Sequence, residues 1–272
     1  MKNLDSIKEH WKSWASEFGE DLRATTRSSN IKKLEIKALI EMLEKHSKNP
    51  VDQLNILEVG CGNGFNSISI AQSLGCKVDA FDFIPEMVKS ARSNLEQSSN
   101  EIKKRVNFFE GDVLNIDKSK EYDFVVSCRC LINLPSWEMQ STAIKELMSI
   151  TSRNGALLLL ENFVNSHGRQ NNLREKVGLV KREVAEFNNF FIQDDVSKFI
   201  RDNEFSIIDE SNFSSLHDII QYVIVPMIND GVVDYKHQVV NAITDLMLEM
   251  DLDNKSSFGE YGQNKLVVIA NE

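Results

Sequence analysis

The sequence predicts an α/β protein in which parallel strands alternate with helices in a single sheet. Short apolar runs recur between segments of helical periodicity, and a glycine-rich turn joins the first run to a helix. The chain has 272 residues, of which 42% are hydrophobic, so it is long enough to bury a sizeable core. Strands that alternate with helices require right-handed crossovers, which give a parallel sheet.

The predicted strands are short and follow one another at regular intervals. They cover residues 55–59, 77–81, 106–109, 122–127 and 156–160, and two further strands are expected at 205–209 and 266–270. Helices are expected at about 65–74 and 85–97 and after Ser136, which can cap a helix. Asn154-Gly155 predicts the turn into the fifth strand.

Two amphipathic helices are predicted before the first strand. One apolar face carries Ile7, Trp11, Trp14 and Phe18, and the other carries Ile31, Leu34, Ala38 and Met42. This pattern gives a helical cap at residues 1–50 and a main domain at 51–272. Insertions of largely helical pattern at about 164–192 and 213–262 follow the fifth and sixth strands, where they can form lids or serve packing and dimerisation. The chain is expected to be a monomer or a homodimer.

Composition excludes several classes of partner. The net charge of −10 disfavours nucleic acid, and no apolar run approaches the ~20 residues that a membrane helix needs. The N-terminus lacks the apolar core of a signal peptide, which predicts a cytoplasmic protein. The four cysteines show no metal-ligand spacing, so no metal site is predicted and small buried thiols are expected.

The motif that indicates chemistry is Gly60-Cys61-Gly62-Asn63-Gly64, which follows the first strand. Glycines let the backbone approach a ligand closely, and the next helix presents free N–H groups. A dinucleotide fingerprint would place a glycine where Phe65 stands. Glu58, just before the loop, fits poorly beside a pyrophosphate and well beside the ammonium group of an amino acid.

Two further acids follow the next two strands. Asp82 ends the second strand, where a carboxylate can accept hydrogen bonds from two ribose hydroxyls. Asp112 follows the third strand, where it can meet an adenine amino group. A glycine-rich loop and two acids, in order on successive strands, indicate a nucleoside-containing cofactor.

These residues resemble the class I methyltransferase superfamily over about residues 50–163, with 204–212 and 264–271 completing the sheet. The resemblance implies a Rossmann-like seven-stranded sheet of order 3-2-1-4-5-7-6, with strand 7 antiparallel, and S-adenosyl-L-methionine as cofactor. The segment from Ser127 to Leu134 is expected to face the methyl donor. The cofactor-binding residues that it implies are Trp14, Phe18, Glu58, Gly60, Cys61, Gly62, Asp82, Phe83, Met87, Gly111, Asp112, Val113 and Cys128.

A narrower resemblance lies in the flanks. Trp14-Ala15, Phe18-Gly19, Ala24-Thr25-Thr26, the run Arg129 to Leu134, Glu161-Asn162-Phe163 and Asn172-Leu173-Arg174 are similar to a bacterial and archaeal group of small-molecule methyltransferases. The group suggests O-methylation of a sugar or natural-product intermediate. Alternatives are N-methylation of a small amine and a non-catalytic cofactor-binding subunit.

Methylation of an alcohol requires a group that removes its proton. The candidate catalytic residues are His167, Glu161 and Arg129, which follow the predicted fourth and fifth strands, and His10 and His217 are further possible bases. Arg129 either clamps an anionic group of the acceptor or pairs with an acid.

A basic cluster in the first insertion has two interpretations. Its members, Arg169, Arg174, Lys176, Lys181 and Arg182, form a solvated helix face or recognise an anionic small-molecule acceptor. A closed pocket is expected, roofed by the cap and both insertions through Trp14, Phe18, His167, Arg174, His217 and Tyr222.

Overall fold

The computed structural model describes residues 3–272, which form a seven-stranded sheet flanked by helices. The strands are β1 (Asn55–Val59), β2 (Lys77–Asp82), β3 (Val106–Glu110), β4 (Tyr122–Cys128), β5 (Thr151–Asn162), β6 (Phe205–Ser211) and β7 (Asn264–Asn271). Their order is β3-β2-β1-β4-β5-β7-β6, and β7 runs antiparallel to both of its neighbours. The predicted fold class and strand order are therefore confirmed.

The helices occupy both faces of the sheet and its carboxyl edge. They are α1 (Leu4–Phe18), α2 (Ser29–His46), α3 (Phe65–Leu74), α4 (Pro85–Glu96), α5 (Asn100–Lys103), α6 (Trp137–Ser149), α7 (Val164–Lys176), α8 (Gln193–Asp202), α9 (Ser215–Ile219), α10 (Val225–Ile228), α11 (Gln238–Glu249) and α12 (Leu252–Ser256). A π-helix (Ile220–Ile224) joins α9 to α10. The Ser136 side chain accepts a hydrogen bond from the backbone N–H of Met139, so Ser136 begins α6 as expected.

Strand register brings the chemically interesting segments to one edge. Val59 lies opposite Phe81 on β2 and Ser127 on β4, so these strands end side by side. Because β7 is antiparallel, its first residue, Asn264, pairs with the last residue of β5, Asn162. Loops from five neighbouring strands therefore meet at this carboxyl edge, where open α/β sheets bind ligands.

The core consists of two apolar layers, one on each face of the sheet. Ile56 belongs to the layer that contains α2 and α3, whereas its neighbour Leu57 belongs to the layer that contains α6 and α8. Leu34 and Leu39 of α2 are fully buried in the first layer. Burial of each such side chain contributes about 1.5–3 kcal/mol, so α2 is a structural part of the sheet's core.

The structure corrects two local predictions. Asn154 and Gly155 form no turn but lie within β5, where a Cβ on Gly155 would come within 2.2 Å of the Asp123 backbone oxygen. The first insertion is only partly helical, because α7 ends at Lys176 and residues 177–192 form a loop. No helix within residues 3–272 is long and apolar enough to cross a membrane.

Candidate functional site

A cavity of about 740 Å³ lies along the carboxyl edge of the sheet. Its wall runs from the loops after β1, β2 and β3 to the insertions after β5 and β6. We call the part around Gly60, Gly62, Asp82 and Asp112 the glycine end. The part around His167, Arg182, Tyr222 and Tyr235 is the distal end. Both ends belong to one continuous cavity.

Backbone geometry fixes the loop at the glycine end. Gly60 and Gly62 have φ values of 65° and 53°, a region that residues with a Cβ rarely adopt. A Cβ on Gly62 would also lie 2.4 Å from Cγ2 of Thr25, because the segment after α1 packs directly on the loop. The side-chain amide of Asn63 donates to the backbone oxygens of Gly19 and Asp21 and fastens the same contact.

Asp82 links the loop to the end of β2. Its two carboxylate oxygens accept hydrogen bonds from the backbone N–H groups of Gly62, at 2.8 Å, and Ile84, at 2.9 Å. Burial raises the pKa of Asp82 to about 6, against the effect of these hydrogen bonds, which lower it. The carboxyl lines the cavity, and its remaining lone pairs are available to a ligand.

Most of the predicted cofactor-binding residues are brought together in this wall. They are Trp14, Gly60, Cys61, Gly62, Asp82, Phe83, Met87, Gly111, Asp112, Val113 and Cys128. Asp112 accepts a hydrogen bond from the backbone N–H of Leu114 at 2.9 Å, which fixes its carboxylate. The grouping agrees with the order in which these residues follow successive strands.

Two predicted cofactor-binding residues lie outside the wall. The Glu58 carboxylate is buried behind the loop, where it accepts hydrogen bonds from Ser67 Oγ and, at 2.8 Å, from Asn66 Nδ2. It therefore ties β1 to the start of α3. Phe18 packs on Trp14, with ring centres 5.3 Å apart, and under the Arg23 guanidinium. Helix α1 turns Trp14 toward the cavity, and Phe18, one turn later, lies behind it.

A buried ion-pair network closes the cavity wall below β4. Arg129, with φ 53°, follows β4, and its Nε lies 2.7 Å from Glu35 Oε1. Lys32 Nζ lies 2.9 Å from the other Glu35 oxygen, and Asn264 Nδ2 donates to Glu35 at 2.8 Å. The two cations hold the pKa of the fully buried Glu35 below its ordinary value despite the desolvation that opposes it. Arg129 thus pairs with an acid while it also lines the cavity.

The candidate catalytic residue Glu161 does not reach the cavity. Its fully buried carboxylate accepts hydrogen bonds from Ser127 Oγ at 2.7 Å and from the backbone N–H groups of Cys130, Leu131 and Ile132. Burial raises its pKa to about 7. Because the carboxylate faces the turn after β4, it holds that turn in place, and a direct proton transfer to a ligand is excluded by this position.

Among the histidines, His167 has the surroundings that a base requires. It lies on α7, lines the distal end and is 7% exposed, and its Nε2 is buried without a hydrogen-bond partner. Burial and the nearby Arg182 charge lower its pKa, so the ring is neutral at pH 7. The other two candidates lie outside the wall. His10 stacks on Phe187 at 4.0 Å, and His217 Nδ1 lies 2.9 Å from Asp218 Oδ1.

The basic residues of the first insertion have different contacts and do not act as one cluster. Arg169 pairs with Glu260, Lys181 lies 3.0 Å from Glu175, and Arg174 donates to backbone oxygens of Val180 and Tyr222. Arg182 instead lines the cavity. The expected roof is therefore formed in part: Trp14, His167 and Tyr222 lie in the wall, whereas Phe18, Arg174 and His217 do not. The loop around Phe187 and Phe190 takes their place.

Sequence reasoning missed Glu35 and its buried ion pair with Lys32, a residue that the sequence places only in a basic cluster with Arg23, Arg27 and Lys33. The signal was available, because Glu35 falls inside the apolar stripe that Ile31, Leu34 and Ala38 define on α2. A charged residue within such a stripe must be paired when it is buried. No cluster of three or more His, Cys, Asp or Glu side chains in residues 3–272 is arranged to hold a metal ion.

Comparison with known proteins matches part of the chain to methyltransferases. Residues 56–155 match the family described as a methyltransferase domain. Malonyl-[acyl-carrier protein] O-methyltransferase 1 of Ilyobacter polytropus is 37% identical over 92 residues, which cover 34% of this chain and 32% of that protein. Ubiquinone biosynthesis O-methyltransferase of Rickettsia typhi is 26% identical over 159 residues, which cover 58% of each. The chain thus spans less than two thirds of the length of these relatives.

The whole fold has counterparts among solved structures. Magnesium protoporphyrin IX methyltransferase from Synechocystis PCC 6803 superposes with a TM-score of 0.60 at 16% identity, over 98% of this chain and 96% of that one. The CcbJ methyltransferase from Streptomyces caelestis gives 0.58 at 10% identity, over 87% and 89% of the two chains. At these identities the matches establish the fold, which agrees with the strand order and the glycine-rich loop. The chain therefore has a methyltransferase fold, and residues 56–155 match the methyltransferase domain.

Proposed function

We propose that this protein transfers a methyl group from S-adenosyl-L-methionine to an oxygen of a small molecule. The observation that carries the proposal is the continuous cavity that joins the glycine end to a buried, neutral His167. The residues of the glycine end suit the cofactor, since Asp82 offers a carboxylate for ribose hydroxyls, and Asp112 and Val113 offer a polar and an apolar contact for adenine. We propose the cap at residues 1–50 as a cover over the domain at 51–272.

The cofactor's sulfonium supplies an electrophilic methyl group when it is bound. The protein's own part is to orient the acceptor and exclude water, which the aromatic wall from Trp11, Trp14 and Phe187 supports. His167 Nε2 is the proposed acceptor of the hydroxyl proton. Because its pKa is lowered, this nitrogen is unprotonated at neutral pH, and the proton-accepting form is lost only on acidification.

A small acceptor is supported by the shape of the site. The cap and the loop at residues 177–192 cover the carboxyl edge, and the cavity volume suits a cofactor with a small acceptor. Two relatives are named O-methyltransferases, which supports oxygen as the methylated atom. Within this class, a sugar or natural-product intermediate is the acceptor that we propose.

Calorimetry and a transfer assay test the proposal. S-adenosyl-L-homocysteine should bind and NAD should not, and labelled methyl should pass from the cofactor to hydroxylated metabolites. His167→Gln should lower kcat by about 10²–10⁴-fold and leave cofactor affinity unchanged. His237→Asn, which keeps a helix-capping side chain outside the cavity wall, is the matched control. Binding of NAD without any binding of the methyl donor would overturn the proposal.

A further inference from the structure

Arg182 lines the distal end of the cavity and forms no ion pair with any carboxylate of the described residues. Its Nη1 donates to the side-chain oxygens of Gln170, at 3.0 Å, and Gln263, at 3.2 Å. Its guanidinium carbon lies 3.5 Å from the centre of the Tyr222 ring. Within residues 3–272, no Asp or Glu oxygen lies inside the ion-pair distance of 4.0 Å from Arg182. Both hydrogen bonds use Nη1, so Nε and Nη2 retain donors for a ligand.

The position of Arg182 is fixed before any ligand arrives. Its backbone N–H donates to Asn171 Oδ1 at 2.9 Å, and its backbone oxygen accepts from Asn171 Nδ2 at 3.0 Å. The two glutamines that hold its side chain are themselves tied to Asp218, through Gln170 Nε2 at 3.2 Å and Gln263 N at 2.7 Å. Neutral amides therefore separate the Arg182 charge from the Asp218 charge. Such a rigid arrangement lowers the entropic cost of binding a ligand.

The other two cations of the adjoining wall already have a carboxylate partner, whereas Arg182 has none in the part of the chain that the structure describes. Lys32 and Arg129 share the single carboxylate of Glu35. Asp218 is already contacted by Gln170, Gln263, Ser214 and the His217 ring. Two acids that follow Arg182 in the chain, Glu183 and Glu186, also line the cavity, but both residues are exposed to solvent. A half-buried guanidinium with only neutral contacts is the kind of group that an anion stabilises.

We propose that Arg182 binds an anionic group of the methyl acceptor, either a carboxylate or a phosphate. The inference rests on the proposed function and names the class of substrate: a molecule with both a hydroxyl and an anionic group. His167 lines the same part of the cavity, and its Nε2, which has no hydrogen-bond partner in the described protein, suits the hydroxyl. Phe187 and Phe190 supply an apolar surface for the body of the molecule.

The test uses His167 as a reporter of charge at Arg182. NMR of the histidine rings follows the His167 pKa in the 272-residue chain loaded with S-adenosyl-L-homocysteine. The pKa is measured with and without millimolar benzoate, inorganic phosphate or neutral benzamide. A bound anion should raise the His167 pKa, because it favours the protonated ring. Benzoate and phosphate distinguish a carboxylate site from a phosphate site, and benzamide should have no effect.

Variants assign the effect to Arg182. Arg182→Gln should raise the His167 pKa without any anion and weaken anion binding by about tenfold to a hundredfold. Arg182→Lys should retain part of the binding, since it keeps the charge but loses the planar donor geometry. Lys181→Gln is the matched control, because Lys181 pairs with Glu175 away from the cavity.

Two results would overturn the inference. One is that neither benzoate nor phosphate changes the His167 pKa in the unaltered protein, and the other is an equal response in Arg182→Gln. Calorimetry with S-adenosyl-L-homocysteine is measured on the same samples. Absence of S-adenosyl-L-homocysteine binding would contradict the proposed function and not the anion site, so the two outcomes stay distinguishable.

Discussion

The two ends of the cavity are built from different kinds of contact. The glycine end uses residues that directly follow three neighbouring strands, and much of its shape comes from backbone, as in the hydrogen bond from Gly62 N to Asp82. The distal end uses side chains that are far apart in sequence, as in the contact between Arg182 and Gln263, 81 residues away. The comparison suggests that the fold itself sets cofactor binding, while long-range packing of the insertions sets the choice of acceptor.

The largest expected effect is at Gly62. Gly62→Ala adds a Cβ 2.4 Å from Thr25 Cγ2 at a φ of 53°, which combines backbone strain with a clash against the cap. The two costs sum to about 2–5 kcal/mol, and the loop of the free variant should relax to relieve them. Binding must restore the original loop geometry, so calorimetry should show an affinity for S-adenosyl-L-homocysteine that is weaker by roughly thirtyfold to a few thousandfold. Gly178→Ala is the matched control, with a φ of 76° and no atom within 4 Å. Equal loss in both variants would mean that the cap contact is irrelevant to binding.

A smaller effect is expected at Asp82. Asp82→Asn removes a charged acceptor and should weaken cofactor binding by about tenfold to a hundredfold. In the unaltered protein the affinity should fall as the pH drops below about 6, the pKa of the buried Asp82, because the protonated carboxyl is a poorer acceptor.

The effect of pH on stability should be opposite to its effect on affinity, because of the same Asp82 carboxyl. Burial raises its pKa from 3.8 to about 6, so the folded state holds this proton more tightly than the unfolded state does. The free energy of unfolding without ligand should therefore fall by up to about 3 kcal/mol as the pH rises through this window, and Asp82→Asn should lack this slope. Asp79→Asn, on the same strand but outside the cavity wall, is the control for the affinity measurement. If Asp82→Asn left both the cofactor affinity and the pH slope of the unfolding free energy unchanged, the ribose contact would lie elsewhere.

The smallest effect is expected at the distal end, where Phe187 stacks on His10 at 4.0 Å and meets Trp11. Phe187→Ala should loosen the loop at residues 177–192 by about 0.5–1.5 kcal/mol, which makes limited proteolysis there about twofold to tenfold faster. Cofactor product should slow this cleavage in the unaltered protein and less so in the variant, with cofactor affinity nearly unchanged. Val180→Ala, in the same loop at 82% exposure, should behave like the unaltered protein. A large loss of cofactor affinity in Phe187→Ala would contradict the claim that the glycine end alone sets cofactor binding.

The two ends also differ in how far they can be predicted from sequence. Asp82 and Asp112 were predicted because a strand end and its loop are local features, and register alone places them together. Glu58 was assigned to the ligand because its charge suited one, but the side chain faces α3 and not the cavity. Glu35 depends on Arg129 and Asn264, which are 94 and 229 residues away, and no local pattern identifies such partners.

The position of β7 between β5 and the edge strand β6 has a consequence for the order in which the chain folds. The edge strand β6 pairs only with β7 within the sheet, and β7 follows it by some 50 residues. Until residues 264–271 insert between β5 and β6, both of those strands expose unsatisfied backbone edges, which favour aggregation. We therefore expect β1 to β5 to form first and the β6–β7 pair to dock in a slower phase. The connection between β6 and β7 is long, so bringing these two strands together costs more chain entropy. Variants that weaken β7 should then lower the soluble yield before they alter cofactor affinity.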